Sequence, residues 1–461
     1  MREVGDQTGA ASLRPEAADL PSISRRLGKN VAILLGGSTA ASVVAFGALA
    51  LNARALGPEG LGTIVIVQAF ASVLTGIFAF GTQQPLIRFG AIAMERGDSE
   101  RLANLTAVAL AFDVAAAATA GIVGLLLVSF AGDFVGLKPE HRVLATYYVL
   151  SVFFSGVGAS NGILRLLNKI GWLGFIQLAG AIASLSVSAL FYIVAAPVLW
   201  YVIAFALISA LTMQVQVWLS IVMLAKRAVR LRLNISRQQR NELFQEFAKY
   251  SWTTSATGTI DILRSNGDVL LLGALVGPAG VGVYNVAKQV AGILGKLSTA
   301  AGIATYPEVA ALAAKRDIGG ARAVLLRLVG IGGAIALVGL AGIAILGGPF
   351  LRIALGPAFV VAYWPMLIMT LVAGVQLVSF SFGGFVQSFR GPIALLGVYV
   401  VSFVLYCVTA PLAIASMGSV GAAISQLAFG LASGAGCAWV LWNALRAKGV
   451  AAYPQQSGRA P

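Results

Sequence analysis

Five ionisable residues stand where the chain is otherwise apolar: Asp261, Arg264 and Asp268, followed by Lys288 and Lys296. The first three are spaced i, i+3 and i+7, which places them on one face of a helix. An ion held within a hydrocarbon layer is costly, so such side chains face a bundle interior or a watery cavity and take partners. Counted from the ends of the segments that carry them, Lys288 lies at about the depth of Asp268, and Lys296 at about that of Asp261. Two carboxylates and three cations leave this stretch an excess of positive charge. Asp113 is the one other acid inside an apolar segment. The plainer alternative is a set of internal ion pairs that only holds the segment together, although buried pairs are weak sources of stability.

The elements that must position these residues follow from composition. Hydrophobic residues make up 58% of the 461 residues and charged ones 11%, against roughly 25% charged in a soluble domain. Apolar stretches recur from Asn30 to Trp442. Inside hydrocarbon every backbone amide needs an internal partner, which leaves helices or closed barrels. The stretches are continuously apolar rather than alternating, so helices are expected. The spans read as 30–54, 60–88, 104–130, 142–167, 171–196, 200–224, 250–276, 280–306, 321–347, 361–387, 392–415 and 418–445, an all-α polytopic membrane protein of twelve helices.

Placing the N-terminus in the cytoplasm puts twenty-five of the 32 lysines and arginines on that side and four outside, with Arg264, Lys288 and Lys296 within the membrane. That asymmetry sets the orientation, with both termini cytoplasmic. The formal charge of +15 therefore lies on the leaflet that attracts it, and no nucleic-acid partner is implied. His141 is the single histidine, and Cys407 and Cys437 lie in apolar segments, so neither a metal site nor a disulfide is expected. No cofactor is implied. The outside loops are short, and there is no soluble catalytic domain.

A six-residue string occurs twice: Gly57-Pro58-Glu59-Gly60-Leu61-Gly62 and Gly277-Pro278-Ala279-Gly280-Val281-Gly282, offset by 220 residues. It lacks the lysine and the preceding strand of a phosphate-cradling loop. It reads as a tight turn after the first and seventh spans, with glycine supplying positive φ and proline opening the next helix. Two halves built alike follow: a disordered cytoplasmic tail at 1–24, an N-lobe at 25–225, a linker at 226–249, a C-lobe at 250–445 and a cytoplasmic tail at 446–461. The linker is expected to form a short amphipathic helix on the cytoplasmic surface, opened by the capping pattern of Ser236 and Gln239. In this register Lys288 stands opposite Gln68 and Lys296 opposite Gly76, while Asp261, Arg264 and Asp268 stand opposite Ala41, Val44 and Ala48. The second half alone acquired charge. Gln68 in the first half, and Asn285 beside Lys288 in the second, complete the polar faces. Gln177, Gln214, Gln216, Gln376 and Gln426 read as hydrogen-bonding residues between helices.

The segment from Arg25, RRLGKNVAILLGGSTAASVVAFGALALNARALGPEGLGTIVIVQAF, resembles the opening of bacterial polysaccharide-unit flippases. These belong to the multidrug/oligosaccharidyl-lipid/polysaccharide (MOP) exporter superfamily. Phe247–Val290, FAKYSWTTSATGTIDILRSNGDVLLLGALVGPAGVGVYNVAKQV, resembles the second-half opening of the same family. The likeness runs from Arg25 to Leu445 as a pattern, without a short catalytic motif. It implies two six-helix lobes around a central cavity, in the inner membrane of a bacterium. The substrate it implies is an oligosaccharide on undecaprenyl pyrophosphate, flipped for O-antigen, capsule or exopolysaccharide assembly. The partners it implies are that lipid, a proton or Na⁺, membrane lipids and other polysaccharide-assembly proteins. Arg264, Lys288 and Lys296, with Gln68 and Asn285, would bind the pyrophosphate or line the cavity. Asp261, Asp268 or Asp113 would carry the coupling ion. A multidrug exporter of the same superfamily usually has an acid on its first helix, and 30–54 has none. A lipid II flippase typically has two further helices. A membrane glycan polymerase or ligase would need a large outside loop, and the longest here, around Asp133–Arg142, is short.

Overall fold

The computed structural model describes residues 20–130, 139–227, 237–295, 318–390 and 392–446. The elements are helical throughout: α1 (Leu20–Phe78), α2 (Gln83–Glu95), α3 (Ser99–Phe130), α4 (Pro139–Val152), α5 (Gly158–Leu166), α6 (Gly171–Ile193), α7 (Val198–Ala225) and α8 (Arg237–Leu275). They continue with α9 at 278–295, α10 (Ile318–Ala354), a turn of 3-10 helix (Pro357–Ala362), α11 (Tyr363–Arg390) and α12 (Pro392–Arg446). Among the described residues seven helical runs are long and apolar enough to cross a membrane. Two of these, Gly36–Phe78 at 43 residues and Ile393–Asn443 at 51, are about twice the length of one crossing. Each bends at one glycine, Gly57 (φ 63°, ψ −173°) and Gly418 (φ 58°, ψ −129°). Large apolar side chains such as Val338, Ile353 and Leu412 are at least 70% exposed, as a hydrocarbon solvent requires. The protein is an all-α, multi-pass membrane protein.

Two expected spans are interrupted. The second, 60–88, stops at Phe78 and restarts at Gln83, across Gly81 with φ 59°. The fourth, 142–167, stops at Val152 and restarts at Gly158. Hydropathy runs unbroken through both places, because glycine and serine interrupt a helix without making its composition polar. The linker differs too: α8 is one continuous helix from Arg237 to Leu275, so its polar opening and the seventh span share an axis. Residues 228–236, with the Ser236 cap, lie outside the described residues.

The chain divides into two compact units. One comprises Met1–Ala48 with Phe70–Thr259, and the other Leu49–Ala69 with Ile260–Pro461. In the first unit, α2, α3 and α5 bury Leu86, Leu102, Leu105 and Ile163 together. In the second, α11 and α12 enclose Phe385, Val386, Cys437 and Leu441.

The twice-occurring turn lies wholly in the second unit, because residues 49–69 pack there. Gly57 and Gly277 both take positive φ, 63° and 105°, and each is followed by the proline that opens a helix. The last glycine of each copy serves a different end. A Cβ on Gly62 would land on the carbonyl of Pro278, and one on Gly282 would land on the carbonyl of Pro58. The two copies therefore clasp one another reciprocally, backbone against backbone, as small residues allow. Arg54, just before the first copy, ties α1 to α10 by donating from Nε to the Ala354 carbonyl at 3.1 Å and from Nη2 to that of Ile353. These are the exposed last carbonyls of α10, where a cation is favourable.

Candidate functional site

In the second unit the charged residues of α8 and α9 close into one network. Arg264 donates from Nη2 to Asp261 Oδ1 at 2.8 Å and from Nη1 to Gln426 Oε1. Its guanidinium carbon lies 4.9 Å from the centre of the Phe429 ring, a cation–π contact. The Arg264 side chain is 12% exposed and that of Asp261 59%. The arginine is thus nearly covered, while the acid that pairs with it stands open.

Asp268, one turn beyond Arg264, is fully buried. It accepts from Tyr284 Oη at 2.6 Å, from Gln426 Nε2 at 2.8 Å and from the Val269 amide at 2.7 Å. Lys288 Nζ lies 3.2 and 3.3 Å from its two oxygens and also donates to the Ser265 carbonyl. The depth match between Lys288 and Asp268 is therefore a contact. Gln426 binds both ends of this system, since its Nε2 also donates to the Arg264 carbonyl at 2.9 Å. Arg264 Nε and Tyr406 Oη are buried without a hydrogen-bond partner among the described residues.

The structure brings Asp261, Arg264, Asp268 and Lys288 together, and their four charges balance. Asn285 is buried at 8% exposure on α9, and Gln68 is half-buried on α1 in the same unit. Lys296 lies outside the described residues. Tyr284, Tyr406 and Phe429 were not singled out from the sequence, since an aromatic in an apolar run looks like packing. The position of Gln426 among interhelical hydrogen-bonding residues is as read, though its two charged partners were not legible.

Asp113 stands in the first unit, 5% exposed. Its Oδ1 accepts from Thr82 Oγ1 at 2.7 Å and its Oδ2 from the Ala159 amide at 2.6 Å. Thr82 precedes α2 and Ala159 is in the first turn of α5, so one carboxylate on α3 ties the two interrupted spans together. It also meets the positive end of α5. The site has no room for a side chain at Gly158, where a Cβ would collide with Thr82 Oγ1. Interrupted helices meeting at an acid are the arrangement in which membrane transporters place ion sites.

The fold is shared with solved membrane transporter structures. It superimposes on an inward-facing multidrug resistance MATE family transporter with a TM-score of 0.71, covering 90% of this chain and 98% of the other at 16% identity. It superimposes on the lipid II flippase MurJ in an inward closed conformation with a TM-score of 0.67, covering 88% and 89% at 13% identity. The polysaccharide biosynthesis protein family matches residues 27–312, and the chain belongs to that family. It is also 26% identical over 355 residues to the inner membrane protein YghQ of Escherichia coli, covering 71% of this chain and 92% of that one.

Proposed function

We propose that the protein is a flippase of the inner membrane. It would carry undecaprenyl-pyrophosphate-linked oligosaccharide from the cytoplasmic to the periplasmic leaflet by alternating access of two lobes, for surface polysaccharide assembly. Family membership supports the pathway, and the lipid II flippase among the structural neighbours supports a lipid-linked substrate. The observation that carries the reading is the state of Arg264. It is held in place by Gln426 and Phe429, and its remaining partner is an exposed carboxylate. A pyrophosphate offers paired oxygens that can accept from the guanidinium fork and carries more charge, so it can displace Asp261 and take the guanidinium. Gln68 and Asn285 supply neutral polar groups for the rest of the headgroup or the first sugar. Asp113 suits the coupling proton or Na⁺, because Thr82 and the Ala159 amide, which donate to it, are neutral.

The test is glycan export in a host lacking its own flippase. Arg264→Ala should abolish export and leave lipid-linked oligosaccharide accumulating on the cytoplasmic leaflet, with normal protein level in the membrane. Arg264→Lys should restore little of it, because an ammonium lacks the guanidinium fork. Asp113→Asn, which keeps shape but cannot titrate, should remove the dependence of export on the ion gradient. Full export by Arg264→Ala would sink the headgroup assignment. A multidrug exporter remains the second reading, supported by the fold and by the exposed carboxylate of Asp261. It is favoured if the protein lowers drug sensitivity while leaving surface glycan unchanged.

A further inference from the structure

The position of Lys288 bears on which cation this protein can use. Asp268 is fully buried, and a carboxylate there needs a counter-charge. The Lys288 ammonium supplies it, seated among Asp268 Oδ1, Asp268 Oδ2 and the Ser265 carbonyl oxygen. Ser265 and Asp268 are three apart on α8, so the three oxygens converge from one helix turn. The Val269 amide, whose regular acceptor in a helix would be the Ser265 carbonyl, also lies 2.7 Å from Asp268 Oδ1. The carbonyl oxygen has a second lone pair for the ammonium. Three hard oxygens, two of them sharing a negative charge, equally suit a small monovalent cation, as where carbonyls and acids of transporter helices hold Na⁺.

We infer that Lys288 is a tethered cation: its ammonium occupies an oxygen-lined position that free Na⁺ would fill in its absence. Asp268 then takes no mobile ion in the wild-type protein, and any ion coupling passes to another carboxylate. Tyr284 and Gln426 belong to the device, since both donate to Asp268 Oδ2, one from α9 and one from α12. The Lys288 ammonium is also 5.8 Å from the centre of the Tyr284 ring, a cation–π contact that adds to its seat. In the sequence register Lys288 stands opposite the neutral Gln68, so the ammonium is a feature of the second half alone.

The experiment uses the full chain in detergent and measures thermal unfolding in NaCl against choline chloride at equal ionic strength, and equilibrium binding of radioactive sodium. Asp268→Asn should leave the sodium binding and the salt dependence of Tm as they are in the wild type, because Lys288 already fills that position. Lys288→Met, which keeps length and removes charge, should unfold at higher temperature in NaCl and bind sodium at least tenfold more tightly than the wild type. The double variant Asp268→Asn with Lys288→Met should fold and lose the sodium response that Lys288→Met gained. The inference is overturned if the wild type binds sodium and Asp268→Asn abolishes it. It is equally overturned if Lys288→Met folds without a sodium response. Failure of Lys288→Met in either salt, while the double variant folds, would mark an ordinary ion pair and overturn it too. The assay involves no glycan, so its failure leaves the flippase reading standing, and failure of the export test leaves this inference standing.

Discussion

Gln426 does more for the charged cluster than its neutral side chain suggests. One amide accepts from Arg264 and donates both to the Arg264 carbonyl and to Asp268. Because the group is 1% exposed, removing it leaves buried partners unsatisfied rather than hydrated. Gln426→Leu is expected to cost about 1–3 kcal/mol, read as a lower Tm in detergent with helical content unchanged at low temperature. Tyr284→Phe should cost less, since Asp268 keeps three other donors. An equal Tm for Gln426→Leu and wild type would mean that water or a rearranged neighbour replaces the amide. The sequence offered the charges themselves at this scale, because an ion in an apolar run is conspicuous. It did not offer Gln426 as their joint partner, since a glutamine in a long apolar helix has many places to bond.

At the scale of elements, two glycines of one turn act by different physics, and substitution separates them. Gly57 is needed for its backbone conformation (φ 63°, ψ −173°), with open space where a Cβ would stand. Gly57→Ala should therefore cost about 1–3 kcal/mol without disturbing the neighbouring helix. Gly62 is needed for close approach to Pro278, so Gly62→Leu must push the two turns apart. In a background without Cys407 and Cys437, maleimide labelling of a cysteine at position 281 reads the difference. Val281 is fully buried, so Gly62→Leu should raise labelling and Gly57→Ala should not. Equal labelling in both would show that the clasp tolerates a side chain. The interrupted spans belong to this scale as well. Their glycines were visible, but not the partner of the amide exposed where α5 opens, Ala159, which Asp113 accepts from a different helix.

For the whole molecule, the distribution of cations is the argument. Twenty-five of 32 lysines and arginines fall on one side of the proposed topology, and positive residues are retained in the cytoplasm. A fluorescent protein fused after Pro461 should fluoresce, and alkaline phosphatase fused there should be inactive. The opposite pair of results would invert the orientation, and with it the direction of the proposed flipping. The same view shows why net charge is uninformative about a partner here: the membrane itself accounts for it.

Sequence alone determined the solvent of this protein, its all-helical class and the turn that occurs twice. Each depends on local properties: apolar runs long enough to cross hydrocarbon, glycine where φ is positive, and proline where a helix opens. It also marked Asp261, Arg264, Asp268 and Lys288, because charge in hydrocarbon is rare. Tertiary structure decided the pairing. Lys288 is taken by Asp268, Arg264 by Gln426 and an exposed Asp261, and Asp113 by the ends of two broken helices. It also decided that Leu49–Ala69 pack with the second unit, so that the two copies of the turn meet. Hydropathy and spacing run along one chain, whereas a hydrogen-bond partner is set by which faces of which helices approach within about 3 Å, and that is a property of packing.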